Sequence, residues 1–500
     1  MSDPVVLSGA ALTPAALALI ASADAPVAIS DDGLARLRAG RAVVERAIAE
    51  NRPVYGLTRG LGDQVGDSLP PEMLADFSRR TIRGRAMAVG AALPRAVVRG
   101  AMAVRLNGAL TGRAGLSEAA AVALQAALNA GLTPVVPRIG SIGEADLCVT
   151  AALALTLIGD PDGRAEIDGA IAPADAALKR AGLAPLAPGP KDGLALISHN
   201  SIAIAEAALA FEALERAVAL ETVASALVLE AFRANPSPLD PACAEARPQP
   251  GQAEAARRLR DLLAGGDLAT DPDAPRRLQD PLSLRCAAPS LGAALTALDA
   301  ARAAIDAELN GSGDNPMVDV AGDRLVATPN FHSPGLALAC DQLAAAIASL
   351  GAGALARCQI LGRAEFTDLP RLLSPGGVGS AGVAPLYKVG QALMHRLTRA
   401  AQPAAALPSM AGGSLEDSMS FAPQAAEKLQ ESADAFRLMT ALELRIAMQA
   451  LQLRGVARPG AALIPWIERL TPLCPPLEAD DRPLGREVEA IADALTPSGA

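Results

Sequence analysis

Along this chain, segments in which Ala, Leu and Val recur at helical spacing alternate with short polar loops rich in Gly, Pro, Ser and Asn. The spacing predicts two helical segments within 14–50, broken near Ala25-Pro26, with Ser30-Asp31-Asp32 as the N-cap of the second. Further helices are predicted over 72–90, 95–110, 117–130, 147–158, 191–235, 251–265, 286–310, 335–362, 386–400 and 423–453. Prolines mark linkers at 173–190 and 236–250, and a hairpin is predicted over Gly159 to Ile171, with Asp160-Pro161-Asp162-Gly163 as its turn. Helices of ~25–35 residues are ~40–50 Å long. The pattern therefore predicts an all-α protein. Residues 1–200 would form an N-terminal helical domain, and 201–500 a central long-helix bundle with C-terminal helices.

Composition adjusts that picture in three ways. Hydrophobic residues are 51% of the chain but aromatics only 2%, so the core must be built from Ala, Leu and Val, which suits closely packed helices. The most apolar segment, 201–234, is interrupted by Glu206, Glu212, Glu215, Arg216, Glu221, Glu230 and Arg233. A membrane span needs ~20 nearly uncharged residues, so this segment reads as a core helix and no membrane partner is expected. A net charge of −10 without a Lys/Arg tract argues against nucleic acid as a partner. The six cysteines form no CxxC pair and no leader-like stretch opens the chain, which predicts reduced thiols in a cytoplasmic protein, with no metal site and no disulfide framework.

The polar loops carry the candidate chemistry. Val54 to Gly62 is glycine-rich but matches neither the GxGxxG fingerprint nor a P-loop, so its role is to place Tyr55. Gly140-Ser141-Ile142-Gly143-Glu144-Ala145-Asp146-Leu147 leads into an apolar helix; on spacing alone it is a turn in which Ser141 or Asp146 caps that helix. A third loop, Lys191 to Ser201, contains His199, one of only three histidines, a residue type that is more often a hydrogen-bonded structural group than a ligand.

Taken together, seven loops carry a resemblance. Tyr55-Gly-Leu-Thr-Arg-Gly-Leu-Gly62, Gly140-Ser-Ile-Gly143, Lys191-Asp-Gly-Leu-Ala-Leu196, Gln279-Asp-Pro-Leu-Ser-Leu-Arg-Cys286, Asp314-Asn-Pro316, Asn330-Phe-His332 and Glu416-Asp417 follow the order and approximate spacing of the histidine, phenylalanine and tyrosine ammonia-lyases. The resemblance covers roughly residues 10–460. It implies the long helical bundle of the ammonia-lyase/fumarase type, a homotetramer, and active sites shared between subunits. It also implies elimination of an amine from an α-amino acid to give an α,β-unsaturated acid.

The family's electrophile, a methylidene-imidazolone, forms by cyclisation of an internal Ala-Ser-Gly. Here the corresponding stretch reads Gly140-Ser-Ile-Gly-Glu-Ala-Asp-Leu147, one residue shorter and without the serine, and Ala-Ser-Gly occurs nowhere in the chain. The ring-contacting Ser-His of histidine-type members aligns with Gly84-Arg85. The Asn-Gly-Thr-Gln motif aligns with Ser198-His199-Asn200-Ser201, and the Tyr before Ser-Leu-Arg is Leu282. Tyr55, Gln279, Arg285, Phe331 and Glu416 are retained.

The expected lyase therefore uses no cofactor. In it Arg285 holds the substrate carboxylate through its planar fork, with Gln279 beside it. Tyr55 removes a β-proton, aided by the cations Arg59, Arg85 and Lys388. Glu416 meets the leaving amine or moves a proton, and Phe331 packs beside the substrate. Glu144 puts a carboxylate where the leaving cation should sit, while Ser198 and His199 line the site. Without an electrophile, a substrate with a good leaving group is favoured, such as a trimethylammonium betaine of the kind cleaved by ergothionase. Two other readings stand beside this one, a conventional electrophile-dependent ammonia-lyase and a non-catalytic paralogue.

Overall fold

The computed structural model describes residues 3–406 and 417–494. In chain order the helices are α1 (Pro14–Ser22), α2 (Asp31–Ala49), α3 (Leu74–Arg83), α4 (Arg95–Ala109), α5 (Glu118–Asn129), α6 (Leu147–Leu157), α7 (Ala174–Arg180), α8 (Asp192–Ile197) and α9 (Ser201–Phe232). They continue with α10 (Pro241–Ala246), α11 (Gln252–Leu263), α12 (Asp267–Thr270), α13 (Leu282–Arg285), α14 (Ala287–Leu309), α15 (Pro334–Leu361) and α16 (Ala364–Thr367). The last are α17 (Ala384–Ala400), α18 (Ala422–Arg454), α19 (Ile464–Leu470) and α20 (Gly485–Ala494). The protein is all-α in class, and what strand there is forms small two- and three-stranded patches in the described residues.

Local signals fix several helix starts. Ser30 caps α2 by accepting the Gly33 N–H at 3.0 Å, and Ser117 caps α5 by accepting the Ala120 N–H at 3.2 Å. The 72–90 expectation is too long. Helix α3 stops at Arg83, Arg85 lies beyond it, and Val89–Ala92 (β1) pairs antiparallel with Pro137–Ile139 (β2), the strand that feeds the Gly140 loop. The expected hairpin exists but turns elsewhere. Strands Arg164–Ile167 (β3) and Ala170–Pro173 (β4) are joined at Asp168-Gly169, both with positive φ (49° and 74°), as a two-residue hairpin turn requires. Asp160 to Gly163 instead closes the end of α6, where buried Asp160 pairs with Arg83. The supposed linker 173–190 contains α7, and the long helix from 191 is broken at Ser198-His199-Asn200 between α8 and α9.

Five long helices, α9, α14, α15, α17 and α18, form the bundle, and one hydrophobic cluster runs through it from Leu7 to Ala492. Helix α9 is buried along nearly its whole length, and at 32 residues it spans about 48 Å. Helices α9 and α15 run parallel: Asn200 bonds Ser333 at their starts, and Arg357, near the end of α15, pairs with Glu221, two-thirds of the way along α9. Helix α18 runs the same way, since Phe421 bonds Ile142 at its head and Arg454 bonds the Ala231 carbonyl at its foot. Helix α17 is antiparallel to α15. Its start packs on the end of α15, where a Cβ on Gly362 would lie 1.9 Å from Tyr387 Oη. Mid-bundle, fully buried Arg357 holds Glu443 at 2.6 and 3.1 Å and also Glu221, whose second oxygen accepts from Thr440 at 3.1 Å. Helices α9 and α15 are long and apolar enough to cross a membrane by composition, yet the apolar window that includes α9 is 94% buried inside the protein.

Candidate active site

The starts of four helices, α6, α9, α15 and α18, meet around the Gly140–Asp146 loop. Each helix presents unpaired N–H groups and the positive end of its dipole there, so the loop lies in a region that favours carboxylates. Asp146 answers that field. Its Oδ2 accepts the Ala203 N–H at 3.2 Å in the first turn of α9, and its Oδ1 accepts from the Ser141 hydroxyl. Burial pushes the Asp146 carboxyl up to about 6, against the opposing effect of those hydrogen bonds. Ala145 and Asp146 both have positive φ (67° and 36°), a conformation that stores on the order of 1–3 kcal/mol per residue.

What holds the strained loop is a set of contacts from three directions. Asn200 Oδ1 accepts the Ala145 N–H at 2.9 Å, while its Nδ2 donates to the Phe331 carbonyl at 2.6 Å and to Ser333 Oγ at 2.7 Å. From α18, Gln424 donates to the Ser141 carbonyl at 2.8 Å, and just before that helix the Ser420 hydroxyl donates to the Gly143 carbonyl at 2.7 Å. Gly143 has φ 85°, and a Cβ there would sit 2.2 Å from Ser420 Oγ, so only glycine fits.

Glu144 is the loop's outward-reaching group. Its Oε1 accepts from His332 Nδ1 at 2.7 Å and from the Ser420 N–H at 3.1 Å, and its backbone bridges that of His332. Because the carboxylate oxygen accepts, Nδ1 carries the hydrogen and Nε2 is the ring's other end. The His332 side chain is 31% exposed and that of Glu144 14%.

The other residues of this end can be placed in turn. Tyr55 is half-buried, and its Oη accepts the Gly62 N–H at 3.2 Å across the glycine-rich loop, which packs on α8 through Gly56 and Leu194. Arg59 donates to the Ser68 hydroxyl and thereby closes that loop. Half-buried Arg85 precedes β1, whose approach brings Ala88 against Gly140. Ser198 and His199 are buried at the α8–α9 break. Both ring nitrogens of His199 are engaged by backbone, Nδ1 accepting from Ser201 at 3.2 Å and Nε2 donating to Leu196 at 2.9 Å. Burial holds this imidazole well below its ordinary value, hence neutral, and it braces the helix break. Phe331 is half-buried, with its carbonyl held by Asn200. Glu416 lies outside the described residues.

Gln279, Arg285 and Lys388 are at the opposite end of the bundle. Asp280 accepts the Asn235 N–H at 2.6 Å just past the end of α9, and Asn235 Nδ2 donates to the Leu278 carbonyl at 2.9 Å. Gln279 is exposed, Arg285 half-buried at the end of α13, and Lys388 exposed at the start of α17. Beside them Leu278 is 95% and Leu282 66% exposed. Within one chain, then, the length of α9 separates Arg285 from Glu144.

His332, Asn200 and Asp146 are the residues that sequence reasoning passed over as site residues. His332 had a signal, being one of three histidines and part of Asn330-Phe331-His332. Asn200 and Asp146 had none beyond their place in polar loops, because their importance comes from helices distant in sequence.

Residues 12–470 match the family model described as aromatic amino acid lyase. The chain is 35% identical over 508 residues to the histidine ammonia-lyase of Anaeromyxobacter dehalogenans, covering 100% of this chain and 99% of that one. Among solved structures it is similar to ergothionase from Treponema denticola, an ergothioneine-degrading enzyme, with TM-score 0.90 and 30% identity over 99% of this chain and 98% of that one. It is also similar to histidine ammonia-lyase from Trypanosoma cruzi, with TM-score 0.91 and 28% identity over 99% and 93%.

Proposed function

Since the chain belongs to the aromatic amino acid lyase family, we propose that it is a carbon–nitrogen lyase working without the family's methylidene-imidazolone. Its substrate in this reading is an aromatic or histidine-like α-amino acid, or the corresponding betaine, and it releases ammonia or trimethylamine. The observation that carries the reading is the Glu144-Ala145-Asp146 turn. It has no serine hydroxyl to lose and no glycine nitrogen to attack, and the Ala145 N–H is committed to Asn200. These residues do not fit the electrophile. A carboxylate held by His332 and Ser420 stands there instead.

Without an electrophile to activate the amine, the leaving group must be good from the start. A quaternary ammonium satisfies this, and Glu144 supplies negative charge for it. Tyr55 takes the β-proton, and the Gly62 N–H holds its Oη in place. The C–H electron pair becomes the new double bond, and the C–N pair leaves on the amine. Arg285 holds the carboxylate bidentately, with Gln279 beside it. Arg59, Arg85 and Lys388 add positive charge, Phe331 and Ser198 line the cleft, and Glu416 takes part in proton movement.

This assignment needs more than one chain per site, because Arg285 and Glu144 lie at opposite ends of α9. A homotetramer with antiparallel bundles, each far end set against another copy's near end, assembles the set. The exposed Leu278 and Leu282 beside Arg285 are the apolar surface such a neighbour would cover. Six free cysteines, three of them buried, suit a cytoplasmic enzyme. The test is to incubate the protein with ergothioneine, other betaines, histidine, phenylalanine and tyrosine and search by mass spectrometry for a new unsaturated acid. A product from a betaine supports the reading, and none from any of these substrates contradicts it.

A further inference from the structure

The Glu144–His332 pair goes unused if Glu144 serves only as a negative charge. Three features mark it as built for proton handling. The hydrogen bond is 2.7 Å, a backbone bridge between the same two residues fixes its geometry, and the Ser420 N–H fixes the carboxylate from a second side. A carboxylate on Nδ1 orients an imidazole and stabilises its protonated form, which leaves Nε2 to act. Among the described residues nothing bonds that nitrogen, and the ring is partly open to solvent.

We propose that His332, oriented by Glu144, is a catalytic acid that protonates the departing amine at the place where the family's electrophile would stand. This rests on the lyase reading above. As the Cα–N bond breaks, its electron pair stays on nitrogen, and the Nε2 proton moves onto that pair. The amine becomes an ammonium ion and His332 becomes neutral. The β-proton held by Tyr55 then returns to His332 through water, so the net transfer is from carbon to the released amine. The physical need is clear: with no covalent trap, a free amine beside an unsaturated acid adds back, whereas an ammonium ion does not.

Other ionisable groups lie on the elements that meet at this end of the bundle. Asp146 shares the Glu144 loop, His199 lies at the α8–α9 break and is neutral, and Glu308 at the end of α14 bonds Ser333 next in sequence. Glu144 is the one in direct contact with the imidazole.

The experiment compares wild type, His332→Gln and Glu144→Gln as intact oligomers of equal melting temperature, using whichever substrate the panel identifies. His332→Gln is expected to lower kcat on the order of 100-fold with KM little changed. It should also abolish the fall of kcat at high pH, and in deuterated water it should enrich recovered substrate in β-deuterium, since the amine now returns. Glu144→Gln should lower kcat as well, because the imidazole loses the acceptor that orients it. An unchanged kcat and pH profile in His332→Gln, without added deuterium, overturns the proposal. A separate arm uses diethylpyrocarbonate, with modified peptides read by mass spectrometry and exposed His395 as the control. A rate of His332 modification, relative to His395, that changes in Glu144→Gln supports the pair, and one that does not change overturns it. Absence of turnover by wild type on every substrate overturns the lyase reading itself, and with it the catalytic role, while the modification arm still reports on the pair.

Discussion

The backbone N–H of Asn235 donates to the Asp280 carboxylate at 2.6 Å, which ties the Gln279–Arg285 segment to the foot of the helix whose head carries the Glu144 loop. Helix α9, about 48 Å long, thus lies between that segment and the Glu144 loop within one chain. It follows that Tyr55→Phe and Arg285→Ala subunits should each be inactive alone but complement each other. Co-expressed at equal amounts and assembled at random, they should recover about a quarter of wild-type activity, since one site in four takes both of its ends from intact sequence. Lack of recovery in mixed tetramers, verified by native mass spectrometry, would count against the shared site.

Asp146 makes a pH prediction. Its carboxyl is raised to about 6 by burial, against ~3.9 for an unfolded Asp, so the folded state holds the proton more tightly. Its contribution is fully present below pH 4 and declines as pH rises toward 6. Asp146→Asn removes that decline, so wild type should lose on the order of 2 kcal/mol relative to the variant between pH 4 and 7. Denaturation midpoints across that range check it. A constant gap between the two proteins would contradict it.

The mid-bundle cluster behaves similarly. Two carboxylates share Arg357, and burial together with the neighbouring Glu443 carboxyl holds Glu221 well above the usual carboxylate range. That stability is present at low pH and is lost as pH rises through the raised value. Glu221→Gln should therefore melt at or above wild type, increasingly so as pH rises. Arg357→Met, which strands two buried acids, should cost about 3–5 kcal/mol. Thermal melts at pH 7 and 9 distinguish the two effects.

Gly143→Ala tests the loop directly. The added Cβ would meet Ser420 Oγ at 2.2 Å in a left-handed conformation, so the loop must leave its hydrogen bonds to Ser420 and Gln424. Activity should fall at least ~10-fold, with a loss of ~1–3 kcal/mol in stability. Unchanged turnover would show that the loop does not position the reacting groups.

The bundle was legible in the sequence because Ala and Leu at helical spacing, set between proline- and glycine-rich loops, leave little else for the chain to form. The retained loop motifs likewise pointed to the family, which the match over residues 12–470 bears out. What escaped was set by distant partners. The break between α8 and α9 depends on His199 satisfying two backbone groups, and the hairpin turn moved to Asp168-Gly169 because those two residues take the positive φ values a tight turn needs. The separation of Arg285 from Glu144 could not be read from loop order, since it follows from which end of each helix a loop adjoins. His332 gained meaning only once Glu144 was seen against it.

The central claim is elimination without a self-made electrophile, and the intact mass of an active preparation tests it most directly. Cyclisation of a tripeptide to methylidene-imidazolone removes two water molecules per chain. A preparation that turns over substrate should have the mass of the unmodified sequence. An active protein lighter by two waters would contradict the account.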